Sequence, residues 1–350
     1  MKKLLSLILA LAMIACLFVG CSGNQVPAAP AANNAAAGDG TLQSMISPNE
    51  EYIVVNCLNN IEYWNAQKYG WEKAGELFGV KTSFVGPADG DVNAMISAME
   101  TSLAKEPAGI CLFGFDEALS PYVDKAKDAG IPIVVYNGDI GRDDVTYVGT
   151  SAYDLGYQGA KLYAEMIGGK GKVAILTITG MKMHLDRTEG FEAGFAEYPD
   201  IEVVAIGDTQ ADTTIATSAA KDIAVKYEDL TGFVCTDSVG ASGAATALAE
   251  LGLTGKVDVL GLDRNTDALQ LIQDGTITGS LCQNDISQAY WAMLCLIMDG
   301  HIDMALTTDN AAAKARVTPN ALYTSVNLVT AENVQYYLDQ NAIYATNGFN

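Results

Sequence analysis

The sequence is poor in basic residues and in histidine. Its 350 residues include 20 Lys and Arg against 42 Asp and Glu, with two histidines, for a formal net charge of −22 at pH 7. A surface this acidic repels the phosphate backbone of nucleic acids and anionic lipid headgroups. We therefore expect no nucleic acid among the partners of this protein.

The sequence also lacks the short motifs of common enzymes. No G-x-S-x-G, P-loop or H-E-x-x-H pattern occurs, and an S-x-x-K match at Ser102 has neither of its partner motifs. Asp237 and Asp263 could form a glycosidase pair, but nothing in the sequence marks either one as the proton donor. We predict no catalytic residue, no metal site and no cofactor, with glycoside hydrolysis as a remote alternative.

Cysteine spacing indicates neither a redox motif nor a metal motif. Seven cysteines occur, none of them at C-x-x-C spacing. Two of them fall within the first 21 residues, and we expect the other five to be buried free thiols. A disulfide between Cys282 and Cys295 is the open alternative.

The longest apolar run is at the N-terminus. Residues 1–3 form a short basic start, and residues 4–20 are almost wholly apolar. This order is typical of an export signal, and the run is too short for a dependable membrane span. Residues 17–21, Leu-Phe-Val-Gly-Cys, resemble the lipobox of bacterial lipoproteins. The resemblance implies a signal peptide at residues 1–20 and lipidation of Cys21, with an ordinary secretory signal as the alternative.

The rest of the chain divides by composition and period. Residues 21–47 are rich in Ala, Asn, Gly and Pro, which predicts a flexible tether. From residue 51 onward, continuous apolar strands alternate with amphipathic helices, which indicates parallel sheets covered on both faces and hence an α/β fold. The roughly 300 residues of this part of the chain are more than one hydrophobic core usually contains, so we predict two lobes. The first comprises residues 50–150 plus 284–319, and the second residues 151–283 plus 320–340.

Nearly every predicted strand ends in a side chain that forms hydrogen bonds. Ligands in such sheets bind beyond the carboxyl ends of the strands, so two facing lobes would present these side chains to one cleft. Asp, Asn, Gln and Arg pair with adjacent hydroxyl groups, and aromatic rings cover the C–H faces of a sugar. Helix capping is the alternative role for any one of the polar residues. The candidates are Asn60, Tyr63, Trp64, Asn137, Arg187, Asp237, Asp263 and Gln283, with His184 as a further possibility.

Several short motifs in order resemble the type I periplasmic binding proteins, closest to the ribose- and galactose-type sugar receptors. They are Leu58-Asn59-Asn60, Gly-Ile-Pro at 130–132, Gly-Lys-Gly-Lys-Val at 169–173, Arg-Thr-Glu-Gly-Phe at 187–191 and Gly-Leu-Asp at 261–263. The resemblance covers about residues 50–340. It implies two Rossmann-like lobes joined by a three-strand hinge that close on one sugar. It also implies delivery to an ABC permease driven by a cytoplasmic ATPase.

The resemblance implies a role for each candidate that matches a family position. Sugar hydroxyl groups would be bound by Asn60, Asp237, Asp263 and Gln283. Tyr63 or Trp64 would stack on the sugar ring, and Arg187 would donate hydrogen bonds to its ring or anomeric oxygens.

Two positions depart from the ribose receptors. Asn137-Gly138 stands where those receptors show Asp-Arg, and Glu62 stands where they show an aromatic residue. The missing arginine and the added carboxylate predict a neutral to acidic cleft, which disfavours sugar phosphates and other anions. We therefore expect a neutral sugar, a polyol or an amino-cyclitol rather than ribose.

Together these patterns predict a monomeric, extracytoplasmic protein anchored to the cell membrane by lipid. It would capture its solute for an ABC importer and catalyse nothing. The main alternative is a ligand-sensing lipoprotein for a chemoreceptor, a histidine kinase or a quorum-sensing pathway, in which the binding chemistry would be the same.

Overall fold

The computed structural model of the protein describes residues 42–302, 304–310 and 312–346. The predicted signal peptide, the predicted lipidation site Cys21 and residues 21–41 of the predicted tether lie outside the described residues. Residues 42–47 belong to the folded body instead of the tether, because α1 (Leu42–Met45) is helical and Ile46 is 8% exposed in the core of the first lobe. Burial removes the apolar side chain of Ile46 from water.

The first lobe is built on a sheet of six parallel strands. These are β1 (Glu51–Val55), β2 (Lys81–Val85), β3 (Gly109–Phe113), β4 (Ile133–Tyr136), β5 (Thr146–Gly149) and β11 (Ala321–Tyr323). Their order in the sheet is β11-β5-β4-β3-β1-β2. In β1, Tyr52 and Val54 pack into one core cluster while Ile53 and Val55 pack into another. Both faces of the sheet are therefore covered, which explains why its central strands β1, β3 and β4 are continuous apolar runs.

Helices cover both faces of this first sheet. They are α2 (Trp64–Phe78), α3 (Val92–Leu103), α4 (Ser120–Asp128) and α10 (Asp285–His301), with a 3-10 turn at Glu117–Leu119. Trp71 of α2 and Leu296 of α10 pack on the Tyr52 side, whereas Met99 of α3 and Val123 of α4 pack on the opposite side.

The second lobe repeats this arrangement. Its strands are β6 (Lys170–Thr177), β7 (Asp200–Asp208), β8 (Leu230–Cys235), β9 (Asp258–Leu262), β10 (Gly279–Gln283) and β12 (Val326–Thr330). They lie in the order β12-β10-β9-β8-β6-β7, and β12 runs antiparallel to β10. Its helices are α5 (Ala152–Met166), α6 (Lys182–Phe195), α7 (Thr213–Lys226), α8 (Ser238–Leu251), α9 (Thr266–Gln273) and α11 (Val334–Thr346).

The chain crosses between the two sheets three times. The crossings follow β5, follow β10 and separate β11 from β12. The predicted fold class, two Rossmann-like lobes with a three-strand hinge, is confirmed. The predicted lobe boundary at residue 320 differs in one detail, because Ala321 pairs with Tyr147 and Tyr323 with Gly149 in the first sheet. The third crossing therefore lies at residues 324–325.

The five described cysteines are free and buried. Cys282 packs in the core of the second lobe and Cys295 in that of the first, so the two do not form the disulfide that the sequence left open. Among the described residues, no helix has the length and apolar character needed to cross a membrane.

Helices α5 and α6 touch each other backbone to backbone. A Cβ atom on Gly156 would lie 1.9 Å from the carbonyl oxygen of Arg187, and one on Gly190 would lie 2.0 Å from that of Tyr153. Only glycine permits so close an approach. The contact at Gly156 therefore fixes the part of α6 that carries Arg187.

We predict that Gly156→Ala lowers the free energy of unfolding by about 1–3 kcal/mol, because the new methyl group pushes the two helices apart. The higher helix propensity of alanine offsets only part of this loss. Urea unfolding measures the effect. The control is Gly180→Ala, where nothing lies within 4 Å of the added Cβ. Equal stabilities of the two variants would contradict the prediction.

Candidate functional site

A cleft of about 750 Å³ lies between the two lobes. The carboxyl ends of strands from both sheets border it, as expected for paired parallel sheets. Seven of the eight predicted ligand-binding residues line it, namely Tyr63, Trp64, Asn137, Arg187, Asp237, Asp263 and Gln283.

Asn60 is the predicted residue that does not line the cleft. It is exposed, and the turn after β1 directs its neighbours Ile61 and Tyr63 towards the cleft instead. The neighbouring Asn59 forms a hydrogen bond within the first lobe, from its Nδ2 to the carbonyl oxygen of Gly86 at 3.0 Å. The sequence placed Asn60 directly after the strand but could not show which way this turn faces.

Trp64 borders the cleft but is mainly a core residue. Its side chain is 1% exposed, and its ring packs edge-on against Tyr63 and Phe113 at centroid distances of 4.7 and 4.9 Å. Of the two aromatic residues predicted to stack on a ligand, Tyr63 is therefore the more accessible. Trp64 packs against the ring of Tyr63 from the core.

The hydroxyl group of Tyr63 is held by hydrogen bonds at the hinge. It accepts one from Asn137 Nδ2 at 2.7 Å and another from Gln283 Nε2 at 3.3 Å. Asn137 Nδ2 also donates to Gln288 Oε1 at 3.1 Å. Asn137 and Gln283 thus position Tyr63. Because the hydroxyl group is occupied by these bonds, the ring is the part of Tyr63 that can contact a ligand.

Arg187 and Asp237 each have an unsatisfied polar atom in this region. Arg187 is 7% exposed, and its Nη1 donates to the carbonyl oxygen of Thr236 at 2.8 Å, but its Nε has no hydrogen-bond partner. Asp237 Oδ1 accepts from the backbone N–H of Gly240 at 2.7 Å and caps α8, while its Oδ2 has no partner. An unpaired buried donor or acceptor is costly, so this pair is suited to a ligand that supplies both partners.

Asp263 follows β9 in a strained backbone conformation, with φ of 72°. Its N–H donates to the carbonyl oxygen of Leu281 at 2.8 Å, and its own carbonyl oxygen accepts from Ser280 Oγ at 2.6 Å. Such strain in a residue other than glycine persists only where surrounding bonds enforce it, and it is concentrated at functional sites. Burial raises the pKa of the Asp263 carboxyl, and the nearby Arg187 guanidinium opposes this.

His184 also borders the cleft. It is 5% exposed, and its Nδ1 lies 3.0 Å from Thr236 Oγ1. Burial, assisted by Arg187, lowers the pKa of His184 to about 4. Its imidazole is therefore neutral at pH 7 and adds no charge to the cleft.

Sequence reasoning missed the apolar part of the cleft. The additional lining residues include Phe113, Phe115, Tyr147, Tyr153, Met181, Met183 and Tyr323. The prediction rested on polar side chains at strand ends and therefore did not include Phe113 and Phe115, which lie at the end of β3. Tyr323 could not have been found this way, because β11 is distant from the rest of its sheet in sequence.

Glu62 does not contribute to the acidity of the cleft, contrary to the sequence-based expectation. Its carboxylate accepts hydrogen bonds from Thr266 outside the cleft lining. The cleft is nevertheless acidic, because its lining contains five carboxylates and two cationic side chains. These are Glu117, Asp139, Asp186, Asp237 and Asp263 against Lys182 and Arg187.

Asp285 begins α10, two residues after the cleft residue Gln283. It is 4% exposed and accepts from Gln67 Nε2 at 3.2 Å. Burial, reinforced by the charge of Asp263, raises the pKa of Asp285 to about 8. The carboxyl group therefore keeps its proton at neutral pH, which spares the hinge a buried negative charge.

Two lobes with mainly parallel sheets are joined by three crossings and face each other across a cleft with polar and aromatic side chains. This arrangement is typical of two-lobed ligand-binding proteins. Comparison with known proteins agrees. Residues 52–298 match the family described as periplasmic binding protein domain, and the chain belongs to this family.

Individual relatives are similar over most of the folded body. The D-allose-binding periplasmic protein of Escherichia coli is 26% identical over 247 residues, which is 67% of this chain and 79% of that protein. The structure of AraP, an arabinose-binding protein from Geobacillus stearothermophilus, is 29% identical with a TM-score of 0.77. The match covers 83% of this chain and 99% of the AraP chain. A solute-binding protein from Actinobacillus succinogenes with bound D-allose is 26% identical with a TM-score of 0.67, covering 83% and 100%.

We predict that Asp285→Asn stabilises the protein increasingly as the pH rises from about 4 to about 8. The unfolded chain loses the Asp285 proton near pH 4 and the folded chain near pH 8, so between these values the wild type loses up to about 1.4 kcal/mol of stability per pH unit. The asparagine variant lacks this loss. Urea unfolding at pH 5 and pH 8 measures the difference between the two proteins.

The control for removing one carboxylate is Asp128→Asn, at an exposed position on α4. If the stability difference between Asp285→Asn and the wild type is the same at pH 5 and pH 8, the carboxyl group is not protonated in the folded protein and the prediction is wrong.

Proposed function

We propose that the protein is an extracytoplasmic solute-binding lipoprotein that captures a neutral sugar or polyol between its lobes. It delivers this ligand to an ABC permease with a cytoplasmic ATPase. The observation that carries the proposal is the buried pair of unpaired atoms at the cleft, Arg187 Nε and Asp237 Oδ2.

A hydroxylated ligand would offer a hydrogen-bond partner to each of these atoms. Each hydroxyl group donates one hydrogen bond and accepts two, so one hydroxyl accepts from Arg187 while it or a neighbouring one donates to Asp237. Asp263 lies in the same part of the cleft and offers a further acceptor. Ligands without such groups would leave the donor and the acceptor buried and unpaired, which disfavours their binding.

Aromatic side chains supply the complementary apolar contact. The ring of Tyr63 is fixed through its hydroxyl group, and Phe113, Phe115 and Tyr147 line the same space. The C–H faces of a pyranose or furanose pack well against such rings. This combination favours a cyclic sugar over a small polar ion.

The charge of the cleft supports a neutral ligand. Carboxylates outnumber cations in the lining, and His184 is neutral. A sugar phosphate or another anion would bring negative charge next to Asp237 and Asp263 at a cost that Arg187 alone does not offset. The relatives support the same class, since they are named for D-allose, xylitol and arabinose.

Capture would depend on the hinge. The ligand-facing groups come from both lobes, Tyr63 from the first and Arg187, Asp237 and Asp263 from the second. A ligand that bonds to both sets favours the conformation in which the lobes face each other. We assign membrane anchoring to the acylated Cys21, on the basis of the lipobox resemblance.

We predict that one neutral sugar or polyol raises the melting temperature of the purified protein in a screen of sugars, polyols, amino sugars and sugar phosphates. A ligand at 100 times its dissociation constant adds about 2.7 kcal/mol to the free energy of unfolding. Arg187→Lys removes Nε, and Asp237→Asn removes a carboxylate oxygen, so each variant should lose most of the shift.

The matched control is Asp212→Asn. Asp212 caps α7 through the N–H groups of Thr214 and Ile215, as Asp237 caps α8, but it does not line the cleft. This control should lose some stability and keep the full ligand-induced shift. If no neutral sugar or polyol produces a shift, or if both cleft variants keep it, the proposed ligand class is wrong.

A further inference from the structure

Glu62 forms a direct hydrogen-bonded contact between the two lobes. It lies between β1 and α2 of the first lobe, and its carboxylate accepts from the backbone N–H of Thr266 of the second lobe at 3.2 and 3.1 Å. The hydroxyl group of Thr266 also donates to Glu62. Asn341 Nδ2 of α11 approaches the same carboxylate at 3.4 Å. One side chain of the first lobe therefore receives hydrogen bonds from two elements of the second.

The contact supplies a helix cap that α9 does not supply for itself. Asn265 occupies the N-cap position of α9, yet its side chain makes no capping hydrogen bond. The first N–H groups of a helix need an acceptor, and a carboxylate at this end also interacts favourably with the helix dipole. Glu62 fulfils both requirements from the opposite lobe.

A cluster on α11 holds the second-lobe side of this contact in place. Arg264 donates to Asn341 Oδ1 from Nη2 at 2.8 Å, and Asn341 Nδ2 donates to the carbonyl oxygen of Arg264 at 2.8 Å. The guanidinium group of Arg264 lies over the rings of Tyr337 and Tyr344, at 4.8 and 5.3 Å. Because these bonds stay within the second lobe, Thr266 and Asn341 form a rigid receptor for Glu62.

The same helix reaches the first lobe at a second point. The ring of Tyr344 lies 5.0 Å from that of Tyr69 on α2, measured between centroids. The Glu62 contact and this ring contact both join the segment around α2 to α11, which packs on the second lobe through Val334. Together they form a clasp, defined here as Glu62, Tyr69, Thr266, Asn341 and Tyr344.

We propose that Glu62 is a positioning residue for ligand capture. Its hydrogen bonds close this clasp and hold the lobes in the facing arrangement seen here. Contacts within one lobe do not change when the lobes separate, whereas the bonds from Glu62 to Thr266 and Asn341 run from one lobe to the other and break if these elements move apart. Their free energy therefore enters the equilibrium between facing and open forms directly, and with it the apparent affinity for ligand. The link to affinity rests on the proposed function, but the effect on lobe arrangement does not.

The test uses small-angle X-ray scattering of the purified, ligand-free protein. Glu62→Ala should shift the ratio of facing to open forms by about tenfold, the size expected for losing one helix cap, and increase the radius of gyration. Thr266→Val removes one donor from the opposite lobe and should have a smaller effect in the same direction. Glu62→Gln keeps an acceptor oxygen and should lie between Glu62→Ala and the wild type.

The matched control is Glu76→Ala on α2, because Glu76 pairs with Lys73 within the first lobe. Its radius of gyration should equal that of the wild type. Hydrogen exchange of the Thr266–Leu269 amides is measured in parallel and should accelerate in Glu62→Ala. If these amides exchange faster while the radius of gyration is unchanged, Glu62 is only a local cap and the proposal is overturned. If neither quantity changes, the contact contributes nothing and the proposal also fails. Since no ligand is used, a wrong ligand class would not affect the result.

Discussion

The hydroxyl group of Tyr63 is the point at which distant segments of the chain meet. It accepts hydrogen bonds from Asn137, at the end of β4, and from Gln283, at the end of β10. Asn137 donates in turn to Gln288 of α10. These segments lie at or next to the hinge crossings. The cluster therefore joins the part of the cleft around Tyr63 to the hinge.

Burial of this cluster explains the electrostatics around it. A buried charge needs a partner, and the guanidinium group of Arg187 is the only cation near both Asp237 and Asp263 among the described groups that act on their pKa values. Arg264 lowers the pKa of Asp285 by less than burial raises it, so Asp285 keeps its proton. The hinge thus stays neutral, while the charged groups lie where a ligand can reach them. Asp237 caps α8 through Oδ1 and leaves Oδ2 unpaired, so the capping role and the proposed ligand-binding role do not compete for the same oxygen.

Prediction from sequence succeeded where a local pattern carries the information. Polar residues after apolar strands correctly indicated a shared cleft, because the carboxyl ends of parallel strands lie on one edge of a sheet. It failed for side chains whose direction is decided by a turn. Asn60 and Glu62 flank the same turn after β1, and neither lines the cleft. Phe115 and Tyr153 do line it, although neither stood out in the sequence.

The sequence by itself determined the alternation of strands and helices, the division into two lobes and the acidic character of the protein, because these follow from apolar period, chain length and composition. Only the tertiary structure decided that Trp64 is a core residue, that β11 belongs to the first sheet and that Glu62 caps a helix of the other lobe. The physical reason is that each of these depends on partners far away in the chain: Glu62 and Thr266 are separated by 204 positions. A local pattern shows which side chains can form hydrogen bonds or pack in a core, and only the folded chain determines which residues they contact.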